Sequence, residues 1–167
     1  EKMKSLAVAF TGPSDSGKTT LILKVANILK KEYALAIIKN DPSDKAVFDV
    51  EGKDSWKFAQ TGAEVVVTSP TRTTLFSKRH KSLDDIIAML GDFDFLLVEG
   101  LKTLPLPRIA IFRNSLNEDY FDCSDAIAID DSINVSDYNI PSHIAILDLN
   151  NPEQVVAWIH THAKKVK

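Results

Sequence analysis

Residues 12–19, Gly-Pro-Ser-Asp-Ser-Gly-Lys-Thr, have the types and spacing of a phosphate-binding loop, G-x-x-x-x-G-K-[ST]. Its two glycines allow backbone N–H groups to turn inward around phosphate oxygens. Lys18 is expected to reach the outer phosphates of a nucleoside triphosphate, and Thr19 to place its hydroxyl on Mg²⁺. A carboxylate would repel phosphate, so Asp15 is expected to point outward. The predicted nucleotide contacts here are Gly12, Ser14, Asp15, Ser16, Gly17, Lys18, Thr19 and Thr20.

Two acidic residues follow apolar runs that predict buried strands. Glu99 ends the run at residues 95–98, and Asp41 comes shortly after the run at 34–39. In open α/β sheets, ligands bind outside the carboxyl ends of strands, so both carboxylates are candidates to bind Mg²⁺ or orient its water. With Lys18 they form the predicted catalytic set, and with Thr19 the predicted metal set. Capping of the following loop is an equal alternative for Asp41.

The elements that must position these residues alternate between strand and helix patterns. Residues 6–10 predict a strand that enters the loop, and residues 20–31 predict the helix that leaves it. Further strands are predicted at 34–39, 64–69, 95–98, 108–113, 126–129 and 144–147, and further helices at 54–60, at 82–90 and from Pro152. This order predicts an α/β protein with a P-loop NTPase-type three-layer fold, in which helices flank a mostly parallel central sheet. Residues 1–167 are expected to form a single P-loop nucleotide-binding domain.

The composition is that of a globular protein, with 44% hydrophobic and 26% charged residues. No apolar stretch approaches membrane-spanning length, so we expect a cytoplasmic location and no membrane partner. The net charge is +3 over residues 1–113 and −6 over residues 114–167. The basic part suits a phosphorylated ligand, and the acidic part argues against a nucleic-acid partner. An ordinary solvated surface explains the acidic charge of residues 114–167 equally well.

Several separated stretches resemble the MobB family, the molybdopterin-guanine dinucleotide biosynthesis adaptor proteins. The phosphate loop alone is shared by many nucleotide enzymes. The combination of Lys-x-Asp at a strand end, Gly-Lys-Asp-Ser and Val-Glu-Gly-x-Lys is much more specific. The stretches cover nearly the whole chain and are residues 12–20, 38–41, 52–56, 61–63, 97–102 and 107–109.

The resemblance implies binding of GTP and Mg²⁺, slow GTP hydrolysis, homodimers, and assistance to the guanylyltransferase that attaches GMP to molybdopterin. It implies that Asp41 and Glu99 act at the metal or its water. It leaves open whether molybdopterin itself is bound. Asn40 stands where many relatives have His, which removes a candidate group for metal binding or proton transfer, and Leu101 stands where Phe is common. By the same resemblance, the residues that line the site beyond the loop are Lys53, Asp54 and Lys102.

Two other functions compete with a GTP-binding adaptor that has weak GTPase activity. A small-molecule kinase would place its acceptor over residues 72–81, but kinases of this size close an arginine-rich lid, and this chain has only four scattered arginines. The other alternative is a nucleotide-gated binding module without useful turnover. Guanine preference follows from the resemblance alone, since no Asn-Lys-x-Asp motif is present. Asn150 and Asn151 could contact a base, although a turn and a helix cap are the stronger interpretation.

Overall fold

A computed structural model describes residues 3–167. The chain separates into two compact units. The first, which we call the core unit, comprises Glu1–Asn40 and Leu90–Lys167, and the second, the insert unit, comprises Asp41–Met89. No helix among residues 3–167 is long and apolar enough to cross a membrane. The single domain over residues 1–167 stays a prediction.

Strands and helices alternate through most of the described chain. The strands are β1 (Leu6–Thr11), β2 (Leu35–Lys39), β3 (Val65–Thr68), β4 (Thr73–Phe76), β5 (Phe95–Glu99), β6 (Arg108–Ile111), β7 (Ala126–Ile129), β8 (Ala145–Asp148) and β9 (Lys164–Lys165). The α-helices are α1 (Lys18–Leu29), α2 (Asp54–Ala59), α3 (Leu83–Met89) and α4 (Pro152–His162). Two 3₁₀ helices lie at Glu118–Cys123 and Val135–Asp137. The predicted elements therefore exist, with ends that differ by one or two residues, whereas β4, β9 and the two 3₁₀ helices were not among them.

The core unit is built on a sheet in which six strands run parallel in the order β2-β5-β1-β6-β7-β8. The short strand β9 pairs antiparallel with the start of β1, where Leu6 faces Lys165. Parallel neighbours place their carboxyl ends at one edge of the sheet, and the register sets Phe10 of β1 beside Glu99 of β5. The expected α/β fold with a mostly parallel sheet is confirmed.

Apolar layers cover both faces of this sheet. Alternate residues of a strand point to opposite faces, and in β6 Ile109 and Ile111 belong to one apolar cluster while Ala110 belongs to another. The first cluster contains the buried faces of α1 and α4, including Val25 and Val155. The second is closed largely by irregular segments and 3₁₀ turns. Burial on both faces of β1, β5, β6 and β7 explains why these four strands read as continuous apolar runs, whereas the edge strands β2 and β8 are partly exposed.

The insert unit contains a two-stranded antiparallel sheet, in which β3 pairs with β4 and Val65 lies opposite Phe76. The strand predicted at residues 64–69 therefore exists, but it belongs to this small sheet and not to the central one. A hairpin with little covering leaves large apolar side chains in contact with water. The most exposed in this unit are Val47, Phe48, Val50, Phe58 and Val66.

Candidate nucleotide-binding site

The loop between β1 and α1 has a backbone that only glycine can adopt at two positions. Gly17 has a φ of 93° immediately before α1, and Gly12 has a φ of 150°. A Cβ atom on Gly12 would lie 2.4 Å from the carbonyl oxygen of Ile111 on β6. Asp15 also has a positive φ, of 61°, which aspartate tolerates better than most residues. Asp15 is exposed, as expected for a carboxylate that points away from the loop interior.

Inside this loop, Ser16 has a buried side chain that lacks an internal hydrogen-bond partner. Its relative exposure is 4%, and its Oγ makes no hydrogen bond within residues 3–167. A buried hydroxyl without a partner costs about 1–3 kcal/mol, so such groups usually have a functional explanation. A phosphate oxygen accepted into the loop would satisfy the hydroxyl. The loop therefore has the chemistry of an anion site.

Lys18 folds back over the loop and meets the carboxylate at the end of β5. Its Nζ donates to the carbonyl oxygen of Gly12 at 3.1 Å and lies 3.0 Å from Oε1 of Glu99. The other carboxylate oxygen, Oε2, accepts from Nζ of Lys39 at 2.9 Å. Glu99 is thus held between two ammonium groups at the carboxyl edge of the sheet. Lys39 ends the apolar run at residues 34–39, so the sequence predicts it at the same sheet edge as the phosphate loop, but its contact with Glu99 was not predicted.

The charge state of Glu99 follows from a competition between burial and its two lysines. Burial raises the pKa of this carboxyl, but hydrogen bonds from Lys39 and Lys18 outweigh that effect, and the pKa of Glu99 lies below its ordinary value. Glu99 is consequently ionised at neutral pH. Its contribution to stability is present above the unfolded-state pKa and is lost as the pH falls through the lowered folded-state pKa.

The turn that follows Glu99 is held by a buried arginine. Arg108 has no exposed surface, and its guanidinium donates to the carbonyl oxygens of Gly100 at 2.7 Å, Leu101 at 2.7 Å and Leu104 at 3.2 Å. Burial lowers the pKa of Arg108. Gly100 and Leu101 have positive φ values of 89° and 55°. Arg108 therefore stabilises an unusual turn directly beside the Glu99 carboxylate.

The other predicted site residues are distributed over both units. Ser14, Thr19 and Thr20 are exposed within or just after the loop. Asp41 belongs to the insert unit, where its Oδ2 accepts from the backbone N–H of Ala46 at 2.8 Å, as the loop-capping alternative expects. Lys53 and Asp54 lie at the start of α2 in the same unit. In the core unit, Nζ of Lys102 lies 3.8 Å from the centroid of the Tyr120 ring. The structure thus brings Lys18 and Glu99 together with the loop.

The donor set of the loop fits magnesium bound through a nucleotide. No group of three or more His, Cys, Asp or Glu side chains suited to a metal ion occurs in the described part of the chain. Mg²⁺ usually takes only one or two protein oxygens and completes its shell with water and substrate phosphates. The Thr19 hydroxyl, exposed at the start of α1, and the Glu99 carboxylate are hard oxygen ligands of this kind.

A parallel sheet, a glycine loop between its central strand and a helix, and a lysine over that loop place the chain in the P-loop class of α/β proteins. A sequence model of the family described as "Molybdopterin guanine dinucleotide synthesis protein B", MobB, matches residues 7–131. The chain belongs to the MobB family.

Individual relatives agree with this assignment. The chain is 30% identical over 167 residues to an Escherichia coli protein named molybdopterin-guanine dinucleotide biosynthesis adapter protein, with 91% of this chain and 92% of the relative covered. A Methanocaldococcus jannaschii protein with a putative assignment to the same role is 31% identical over 84% of this chain, which spans only 59% of the relative. The crystal structure of Bacillus subtilis MobB superposes with a TM-score of 0.74 at 23% identity, covering 96% of this chain and 99% of that one, and supports the fold.

Proposed function

We propose that this chain binds Mg-GTP at residues 12–20, hydrolyses it slowly, and acts as an adapter in molybdopterin-guanine dinucleotide biosynthesis. The observation that carries nucleotide binding is the glycine loop with the unpartnered buried hydroxyl of Ser16 and the Lys18 ammonium above it. The adapter role draws on the names of the relatives in the family. Guanine as the base is inherited from the same resemblance.

In this proposal, the nucleotide replaces internal partners of the loop. Lys18 exchanges the Gly12 carbonyl and the Glu99 carboxylate for outer phosphate oxygens, and Ser16 donates to a phosphate. Thr19 and Glu99 would hold Mg²⁺, which neutralises phosphate charge. Glu99 would orient the attacking water, with Lys39 retaining the carboxylate in place. Asp41 stays a predicted metal or water ligand, and Lys53, Asp54 and Lys102 stay predicted nucleotide contacts.

The proposed partner is the guanylyltransferase that joins GMP to molybdopterin. An adapter in this role should raise the yield of guanine dinucleotide when the partner enzyme, molybdopterin and Mg-GTP are present together. The comparison is the same reaction without this chain and with its Lys18→Ala variant. A yield that is equal in all three reactions would rule out the adapter role. Direct binding of molybdopterin to this chain is a separate question, which the same components answer by equilibrium dialysis.

Replacement of Glu99 by glutamine is expected to slow GTP hydrolysis roughly a hundredfold, the usual size of a lost general base or water-orienting group. The amide keeps the size of the side chain but cannot accept a proton. Binding of Mg-GTP should change much less than turnover. The measurement is single-turnover phosphate release with protein in excess over GTP.

The matched control for this variant is Asp92→Asn, which also removes one carboxylate charge. Asp92 lies shortly before β5, the strand that Glu99 ends. Asp92 is largely exposed, and its Oδ1 lies 3.7 Å from Nζ of Lys167. Its turnover should equal that of the wild type. If Glu99→Gln also releases phosphate at the wild-type rate, a binding module without a catalytic carboxylate describes the protein better. Release that rises only with a phosphoryl acceptor would favour the kinase alternative.

We propose that the chain forms a homodimer in which the insert unit takes part. Phe58 and Val66 are 59% and 58% exposed and line one cavity of 580 Å³, an apolar surface typical of interfaces. Val66→Lys is expected to weaken dimerisation at least about tenfold, because a lysine would be buried without a partner. Sedimentation equilibrium checks this, with Thr71→Lys, at an exposed position between β3 and β4 that does not line the cavity, as the control. A wild type that is monomeric at high concentration would contradict the proposal.

A further inference from the structure

Lys39 lies on the strand next to Glu99, at the sheet edge that carries the phosphate loop. It is the last residue of β2 and is paired with Glu99 of β5 in the parallel register. β5 lies in turn beside β1, the strand that enters the loop. The order β2-β5-β1 therefore arranges Lys39, Glu99 and the loop in a row along the carboxyl edge of the sheet.

The carboxylate of Glu99 is shared by two ammonium groups. Nζ of Lys39 donates to Oε2 at 2.9 Å, and Nζ of Lys18 lies 3.0 Å from Oε1. Two positive charges therefore surround one negative charge, and the three side chains together carry one positive charge in excess. This excess suits the binding of an anion at the edge of the sheet, and Lys39 contributes to it as much as Lys18 does.

The side chain of Lys39 is much more accessible than those of its two neighbours in this cluster. It is 73% exposed, whereas the side chains of Lys18 and Glu99 are 20% and 12% exposed. An ammonium group carries three N–H donors, so it can hold a carboxylate and donate to a phosphate oxygen at the same time. Lys39 can therefore reach a phosphoryl group at this edge without releasing Glu99.

Hydrolysis of GTP requires positive charge at the transferred phosphoryl group. The oxygen of the attacking water bonds to the γ-phosphorus, and the bond from that phosphorus to the oxygen bridging the β-phosphate breaks. A proton of the water passes to Glu99 and from there to solvent. In many enzymes an arginine stabilises the charge on the phosphoryl oxygens. The two arginines of the core unit have other contacts, since Arg108 binds three backbone carbonyl groups and Arg113 pairs with Asp130.

We propose that Lys39 is a catalytic residue whose ammonium bridges Glu99 and an oxygen of the transferred phosphoryl group. It supplies charge and keeps its own protons. Because the charge on the phosphoryl oxygens changes as the bond to the leaving GDP breaks, a cation placed there stabilises the transition state more than the bound substrate. Lys39 therefore raises the rate of hydrolysis more than the affinity for GTP. This inference rests on the proposed function and deepens it, because it adds a substrate contact to the hold on Glu99.

The test compares the wild type with Lys39→Met by single-turnover phosphate release from Mg-GTP and by titration calorimetry with Mg-GDP and the slowly hydrolysed Mg-GTPγS. Lys39→Met should release phosphate about tenfold to a hundredfold more slowly, because one charge-assisted contact is lost. Its affinity for GTPγS should fall by less than about fivefold. Its affinity for GDP should not change, since GDP lacks the transferred phosphoryl group. Lys39→Arg keeps the positive charge and should release phosphate faster than Lys39→Met.

The matched control is Lys31→Met, which removes the same charge from an exposed position between α1 and β2 and should leave all three measurements unchanged. Phosphate release at the wild-type rate in Lys39→Met would overturn the catalytic role of Lys39. An equal loss of affinity for GDP and GTPγS would also overturn it, because the effect would then not depend on the transferred phosphoryl group.

The double variant Lys39→Met/Glu99→Gln separates contact with the substrate from an effect through Glu99. If Lys39 contacts the phosphoryl group, the double variant should release phosphate more slowly than Glu99→Gln alone. If the two release phosphate at the same rate, Lys39 acts only by holding Glu99, and the proposed contact is wrong. A wild type that binds neither nucleotide, or that binds GTP without releasing phosphate, would instead overturn the proposed function itself.

Discussion

Lys18→Ala is expected to weaken Mg-GTP binding by a factor of about 10²–10⁴, which is loss of binding in most assays. The ammonium is expected to make at least two charge-assisted contacts to phosphate, each of which contributes about 1.5–3 kcal/mol. This group lies 3.1 Å from the carbonyl oxygen of Gly12, inside the loop that is expected to hold the phosphates. Little rearrangement is therefore needed to bring it to the phosphates.

A second effect of the substitution adds to the first. Removal of the Lys18 ammonium leaves Glu99 paired with Lys39 at the sheet edge, so the carboxylate presents more uncompensated charge to the triphosphate. The double variant Lys18→Ala/Glu99→Gln should then bind GTP more tightly than Lys18→Ala alone. A double-mutant cycle measures this coupling, and a coupling of zero would show that the two groups act independently toward the nucleotide.

Titration calorimetry with Mg-GTP and Mg-ATP provides the measurement, and Lys24→Ala is the matched control. Lys24 is an exposed lysine of α1, so Lys24→Ala changes the net charge and the composition of this helix in the same way as Lys18→Ala does. The control should bind GTP as the wild type does. If Lys18→Ala also bound GTP with the wild-type affinity, residues 12–20 would not be the nucleotide site. Tighter binding of ATP than of GTP would instead revive the kinase alternative.

The parts of the site that the sequence predicted are those encoded by local patterns. The glycine loop is a contiguous motif whose spacing alone determines where backbone N–H groups converge, and the structure gives Gly12 and Gly17 the required conformations. Glu99 was predicted because it ends an apolar run, and the ends of parallel strands meet at one edge of the sheet. Both arguments need no knowledge of which strands are neighbours.

The contacts that the sequence did not predict join segments that are distant in the chain. Lys39 meets Glu99 only because β2 and β5 are adjacent and in register, although the two residues are 60 positions apart. Arg108 was expected merely at the entrance of a strand, whereas it is completely buried. Nothing in its local sequence specifies that three carbonyl groups of a preceding loop surround it. To predict these contacts, one needs the order of the strands in the sheet and the direction of each side chain, which the local sequence does not specify.

For the same reason, local patterns could not predict which sheet a strand belongs to. The apolar run at β3 resembles the runs of the central strands, yet β3 pairs with β4 in a separate hairpin. In β3 only Val65 is buried, while Val66 and Val67 are exposed. A continuous apolar run indicates a strand with two covered faces, but it does not tell which surface covers the second face. In the insert unit that second surface is, in our proposal, a second copy of the chain.

Arg108→Met is expected to lower the free energy of unfolding of the core unit by about 3 kcal/mol. The substitution keeps most of the volume and removes three hydrogen bonds to carbonyl oxygens. The oxygens of Leu101 and Leu104 keep one backbone partner each, at 3.0 and 2.9 Å. The carbonyl oxygen of Gly100 loses its hydrogen bond from Arg108, so the loss comes from one unsatisfied carbonyl and two weakened ones. The wild type bears the cost of desolvating a buried guanidinium. The variant avoids this cost, which offsets part of the loss in stability.

Urea unfolding followed by tryptophan fluorescence measures this loss, in a Trp56→Phe background so that Trp158 reports on the core unit. Arg113→Met is the matched control, since Arg113 is 44% exposed and pairs with Asp130 at 3.4 Å, and it should cost less than about 1 kcal/mol. Arg108→Lys should lower the free energy of unfolding by less than Arg108→Met but by more than the control, because one ammonium cannot reach all three carbonyl oxygens. Unchanged stability in Arg108→Met would mean that desolvation cancels the hydrogen bonds. In that case Arg108 would serve only to orient the turn beside Glu99, and its loss would appear in GTP turnover instead.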